Sequence, residues 1–188
     1  MALTADAFRQ ILERFRAPLF RFVRHLISNI EDVHDIVQDV FVDAWRAAKR
    51  QAAPFTLGGD EAAVRKWLFH AAYCDAISLL RHRRVITWEP LDPFNPPEMA
   101  LHNAPESFED RVADALVLHA ALAHLKPQDI ACLQLGIIED LSAAELAAIL
   151  EITPEAARQR LSRALRRLRA AYLAEEAASD DTDGGAAV

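Results

Sequence analysis

Apolar residues recur along this chain at intervals of three and four, the spacing that gathers them on one side of an α-helix. Phe8, Ile11, Leu12 and Phe15 mark a first helix, and Leu19, Phe22, Val23, Leu26 and Ile27 resume the pattern beyond Pro18, which is expected to kink or interrupt it. After Ser28-Asn29 the set Val33, Ile36, Val37, Val40, Phe41, Ala44 and Trp45 keeps the spacing for about three turns. The segment QAAPFTLGGDEAA reads as a loop, and Val64, Trp67, Leu68 and Ala71 open a third long helix that ends in Arg81-His82-Arg83-Arg84, where cations suit the negative end of the helix dipole.

Beyond residue 110 the elements shorten. Val112, Leu116, Leu122 and Leu125 predict a fourth helix, and Pro127 suits the first position of a short fifth. LSAAELAAIL opens with a capping box, Ser142 at the cap and Glu145 three residues on. Thr153-Pro154 follows closely as another start signal. Two short helices joined by so tight a turn read as helix-turn-helix. No alternating strand pattern competes and no internal repeat is visible.

Proline and charge divide the chain. Pro90, Pro93, Pro96, Pro97 and Pro105 rule out continuous helix in the stretch that holds them. Residues 88–110 hold Glu89, Asp92, Glu98, Glu106, Glu109 and Asp110, with no Lys or Arg. The expected architecture is therefore all-α, with two small helical domains: an N-terminal bundle over 1–87, an acidic Pro-rich linker over 88–107 and a helix-turn-helix domain over 108–172. Residues 173–188, acidic and ending in small residues, are expected to form a disordered tail. The formal net charge of −7 is thus concentrated in a linker and a tail and need not describe the folded parts.

One helix runs against that charge. In ITPEAARQRLSRALRRLR, Arg158, Arg160, Arg163, Arg166, Arg167 and Arg169 face a single acid, Glu155. At 100° per residue, Ala157, Leu161, Ala164, Leu165 and Leu168 form an apolar side, while Glu155, Gln159, Ser162, Arg163 and Arg166 lie opposite. Arg158, Arg160, Arg167 and Arg169 flank the stripe. Such a helix suits a DNA major groove, with exposed central residues reaching base edges and flanking arginines reaching phosphates. The competing reading is a solvated basic face, which the capped helix and tight turn before it disfavour.

Both halves resemble one family, the extracytoplasmic-function (ECF) group of sigma factors, specificity subunits of bacterial RNA polymerase. The likeness runs from about Phe8 to Tyr172, leaving out the linker. NIEDVHDIVQDVFVDAWR is similar to the family's core-polymerase-binding helix. RKWLFHAAYCDAISLLRHRR is similar to the helix that melts and reads the minus-ten element, and LSAAELAAILEITPEAARQRLSRALRRLR to the helix-turn-helix that reads the minus-thirty-five element.

The resemblance implies docking on the polymerase clamp by Asp35, Gln38, Asp39 and Phe41, with Phe41 and Trp45 also suited to the core, and names the polymerase flap as a second contact region of the chain. It implies minus-ten contacts by Phe55, Lys66, Tyr73, Arg81, Arg83 and Arg84, and minus-thirty-five contacts by Glu155, Arg158, Gln159, Arg160, Ser162, Arg163, Arg166 and Arg167. The loop around Pro54 to Asp60 matches the place where the family captures a flipped base; Phe55 is suited either to stack there or to pack inward. The linker would thread toward the active site and RNA exit. The chain departs from the pattern at Tyr73-Cys74, where the family has Arg-Asn, at Gly136, where it often has Arg, and at Ala157, where valine is common.

The expected function is an alternative sigma factor, not an enzyme, with no cofactor. Its partners are core RNA polymerase, promoter DNA and an anti-sigma factor, and it is expected to be monomeric when free and cytoplasmic. No phosphate-cradling loop or zinc-protease motif is present, and no apolar run reaches the roughly 20 residues of a membrane span. His70 and Cys74 share a helix face at metal-ligand spacing, but two ligands do not complete a site, and no metal is expected. Cys74 and Cys132 are expected to be reduced. Two rivals remain: a sigma mimic that binds an anti-sigma factor without reading DNA, and an ordinary helix-turn-helix repressor, which leaves the docking helix unexplained.

Overall fold

The computed structural model describes residues 4–55, 60–86 and 108–183. Every regular element among them is helical: α1 (Ala5–Leu26), α2 (Ile30–Lys49), α3 (Glu61–Ile86), α4 (Phe108–Ala123), α5 (Pro127–Leu133) leading into a π-helical turn (Gln134–Ile138), α6 (Ala143–Leu150) and α7 (Pro154–Asp183). The linker expected over 88–107 lies outside the described residues.

Local chemistry sets the helix ends. Thr4 caps α1 by accepting from Ala7 N–H, and Asn29 caps α2 by accepting from Glu31 and Asp32. The predicted capping box is present: Ser142 accepts from Glu145 N–H at 3.3 Å, and Ser142 N–H donates to the Glu145 carboxylate at 2.9 Å. Pro127 takes the first turn of α5 as predicted.

Two expectations are corrected. Pro18 does not interrupt α1, which runs through it; Phe15, Leu19 and Phe22 are buried on both sides, so packing holds the helix across the missing hydrogen bond. Disorder does not begin at residue 173, because α7 continues to Asp183. The sequence AAYLAEEAA is rich in helix formers, and Tyr172 and Glu175 tie it to Asp114 and His124.

The first three helices form a bundle around Leu19, Phe22, Val23, Val33, Val40, Phe55, Leu68 and Phe69. Phe22 and Phe69 meet edge to face with centroids 5.3 Å apart. Helices α4 to α7 form a second bundle around Leu135, Leu146, Ile149, Ala157 and Ala164. Gly136 permits its tight packing: an added Cβ would lie 3.1 Å from Leu161 Cδ2 on α7. Leu165, expected on the apolar side of α7, is instead 42 % exposed, since the helix turns that edge away from α5 and α6.

The bundles also pack on each other. α6 lies against α3 and α5 against α1. His70 Nδ1 donates to the Ile149 carbonyl at 2.9 Å, and the Arg65 guanidinium reaches the Glu139 carbonyl at 3.4 Å and the Glu145 carboxylate at 3.7 Å.

Candidate functional site

Three surfaces carry the residues of interest. On α2 the apolar period buries Val33, Ile36, Val37, Val40 and Phe41, which leaves Asp35, Gln38 and Asp39 pointing outward. Phe41 is only 8 % exposed, so it supports the surface from beneath. Asp75 of α3 joins this surface: burial, then the charges of Asp39 and Asp43, push its carboxyl above the ordinary range. Nothing local in the sequence announces Asp75, because the helices that bring it beside Asp39 are packed by tertiary contacts.

The second surface is on α3. Lys66 is exposed and Tyr73 is half-buried, its phenol raised by burial and opposed by the charge of Arg160 from α7. Arg81 is exposed. Arg83 Nη2 stands 2.5 Å from Asp32 Oδ2 at the start of α2; the approach is off the line of a hydrogen bond, so the pair is a charge contact between α3 and α2. Arg84 continues the helix, and its side chain lies outside those described. Phe55 is not available to stack on a base. It is fully buried, 5.0 Å from the Trp67 ring and nearly perpendicular to it, because the chain before α3 folds this aromatic side chain into the bundle.

The third surface is the outer side of α7. Glu155, Arg158, Gln159, Ser162, Arg163 and Arg166 are exposed as the wheel predicts. Arg158 pairs with Glu155 at 2.7 Å, and Arg163 Nε donates to the Gln159 carbonyl at 3.2 Å, so both guanidiniums are held along the helix rather than splayed. Arg160 is half-buried toward α3. Arg167 is bound to the buried carboxylate of Asp129 on α5.

No group of three or more potential metal ligands occurs among the described residues. Cys74 and Cys132 are free; burial holds the Cys74 thiol above its ordinary range, Glu151 and Asp75 adding to the effect, and drives that of Cys132 to about 11. Cys74 Sγ lies 3.7 Å from His70 Nε2, while the other ring nitrogen is spent on Ile149. No described helix is long and apolar enough to cross a membrane.

This arrangement, an acid-faced helix in one bundle and a basic second helix of a helix-turn-helix in the other, matches two family models. Sigma-70 region 2 matches residues 11–84 and Sigma-70 region 4 matches residues 121–170. The chain is 27 % identical over 171 residues to the ECF RNA polymerase sigma factor SigL of Mycobacterium tuberculosis, covering 89 % of this chain and 90 % of that protein. Its fold is similar to that of CnrH, solved in complex with the cytosolic domain of CnrY, with a TM-score of 0.60 and 26 % identity over 89 % of this chain and 88 % of that one. It is also similar to RpoE of Bartonella quintana, solved with the anti-sigma factor NepR, with a TM-score of 0.64 and 22 % identity over 87 % of this chain and 95 % of that one. The chain belongs to the sigma-70 family, in its ECF group. It is a sigma factor that binds RNA polymerase and directs it to promoters.

Proposed function

We propose that the division of labour follows the three surfaces. Asp35, Gln38 and Asp39, joined by Asp75 and supported by Phe41, dock on the polymerase clamp. Lys66, Tyr73 and Arg81 meet the minus-ten element. Gln159, Ser162, Arg163 and Arg166 reach base edges of the minus-thirty-five element, and Arg158 and Arg160 anchor phosphates. The observation that carries this reading is the outer side of α7: an exposed polar row on the second helix of a helix-turn-helix, with its arginines held along the axis. The helix-turn-helix half also docks on the polymerase flap.

The free protein is a monomer that acts in the cytoplasm, one copy per polymerase. An anti-sigma factor is its further partner; the complexes of CnrH with CnrY and of RpoE with NepR support this, since both proteins share this fold. Transcription from a defined promoter with purified core polymerase tests the reading. Specific initiation that depends on this chain is the expected result. Binding to core without initiation would favour a mimic, and duplex binding without core binding would favour a repressor.

A further inference from the structure

The outer row of α7 has one member that differs in kind. Glu155, Gln159, Ser162 and Arg166 follow one another at steps of four, three and four, so they lie along one line of the helix, and all are exposed. Arg158 and Arg163 border that line on either side. Among these, the arginines only donate hydrogen bonds, and Gln159 and Ser162 both donate and accept, whereas the Glu155 carboxylate only accepts. Glu155 is also the single acid between Ile152 and Arg169. An acid there opposes the attraction of the arginines to phosphates, so the fold must gain something else from it.

Capping does not use it. Thr153 caps α7 by accepting from Ala156 N–H at 3.2 Å, and Ala156 stands where the capping box of α6 has Glu145. Glu145 is turned back onto its cap and accepts from Ser142 N–H, whereas Glu155, one position earlier in its own helix, is turned forward and pairs with Arg158 at 2.7 Å. A place in the first turn suits the helix dipole, but any acid of that turn supplies this benefit whichever way it faces. The pair with Arg158 is charge-balanced and not saturated. A carboxylate has about four acceptor positions and a guanidinium about five donors, so Arg158 retains donors for a phosphate and Glu155 retains acceptors for a base.

The chemistry of the major groove then names the base. Its donors are the amino groups of cytosine and adenine; adenine sets its N7 acceptor beside that donor, and guanine and thymine present no donor there. A carboxylate is repelled by each of those acceptors and fits cytosine alone. A recognition helix meets base edges with its N-terminal residues, and Glu155 opens the row. We propose that Glu155 is a specificity-determining residue of α7: its carboxylate, charge-balanced by Arg158, accepts a hydrogen bond from the N4 amino group of a cytosine in the upstream element and rejects the other bases at that position. This rests on the assignment of the outer side of α7 to the major groove of the minus-thirty-five element.

The test uses holoenzyme reconstituted from the full chain and core polymerase, presented with a duplex library randomised across both promoter elements. Bound duplexes are sequenced, and fluorescence anisotropy at fixed salt reads the affinity for the selected element and its single-base variants. Wild type is expected to select a cytosine at one upstream position and to bind the substitutions there about five- to a hundredfold more weakly. Glu155→Gln, which keeps the shape and removes the charge, is expected to move the preference at that position from cytosine to adenine, because an amide pairs with adenine N6 and N7. Glu155→Ala is expected to lose preference there, with the other positions unchanged. Glu13→Gln, which removes a charge from an exposed position on α1, is expected to leave every position as in wild type. Circular dichroism melts read the helix-end role: lower stability of the Glu155 variants with base preference intact would assign the acid to the helix dipole and overturn the proposal. A uniform gain in affinity for all duplexes, with preference intact, would make the acid a counterweight to phosphate attraction and overturn it as well. An upstream element that Arg163→Ala relaxes and neither Glu155 variant alters would overturn this inference alone and leave the major-groove reading of α7 standing. A wild-type holoenzyme with no upstream preference would overturn both.

Discussion

Arg167 on α7 is bound to Asp129 on α5, a carboxylate with a side chain only 8 % exposed. The pair joins the recognition helix to the helix beneath it and fixes how far α7 is rotated about its axis. Arg167 is therefore committed to the fold, although its position on the wheel suggested a phosphate contact. Arg167→Met should leave the buried acid without its partner and cost about 1–3 kcal/mol. Because Arg167 is about half exposed, water compensates part of the loss and the lower half of that range is expected. Denaturant melts read the stability. If Arg167→Met leaves stability unchanged but flattens the salt dependence of DNA binding, the arginine serves DNA after all.

Arg163→Ala and Arg158→Ala should differ in kind. Arg163 lies mid-row, so its loss should cost about 1–3 kcal/mol and relax preference at one base pair. Arg158, on the flank and already paired with Glu155, should weaken all sequences alike and lower the salt slope by about one. Titrations of matched and mutated upstream elements at several salt concentrations separate the two. Equal losses on every sequence for both variants would reduce the helix to a phosphate anchor.

Asp39→Arg should weaken binding to core polymerase by about tenfold or more, since it reverses a charge beside Asp43 and Asp75. Duplex binding through α7 should not change. Retained core affinity after this reversal, and after similar changes at Asp35 and Gln38, would remove α2 from the docking surface.

Phe55→Ala should act on stability. A fully buried phenylalanine packed on Trp67 is expected to cost about 3–5 kcal/mol when truncated. Phe55→Leu, which keeps most of the apolar bulk, should restore most of the stability. A variant as stable as wild type but defective in promoter melting would return Phe55 to base capture.

Acid should loosen the molecule near His119 on α4. Burial lowers its pKa, and His25 and Arg24 of α1 lower it further. The folded state therefore resists its protonation. Its contribution is full above the ordinary histidine value of about 6.5 and is lost as the pH falls below that value toward the lowered one. His119→Gln should flatten the dependence of Tm on pH in this window. An unchanged slope would assign the acid sensitivity to other groups.

Much of this architecture was legible in the chain's own pattern. The buried set on α2, the capping box at Ser142 and Glu145, the proline at the start of α5 and the exposed row on α7 all follow from local spacing and local hydrogen bonds. What escaped depends on contacts far apart in sequence. The course of α1 through Pro18 is decided by packing on both sides of the proline, and Phe55 turns inward because Trp67 is there to receive it. His70, singled out for its spacing from Cys74, spends a ring nitrogen on Ile149, 79 residues away, which no periodicity encodes.

The unbroken course of α7 gives the protein a rod with opposite signs at its two ends. The arginines from Arg158 to Arg169 occupy the leading part, and Glu175 and Glu176 begin an acidic trailing part on the same axis. From Arg163 to Glu176 the rise is about 20 Å, two Debye lengths at about 0.1 M salt. At that ionic strength the trailing charge does not cancel the attraction at the front, but it opposes any approach to the phosphates made tail first. As salt falls and the screening length grows, the two ends increasingly act on each other's ligands. The rod then behaves less like a cationic probe and more like a compass needle, aligned by the field of the duplex before any base is touched.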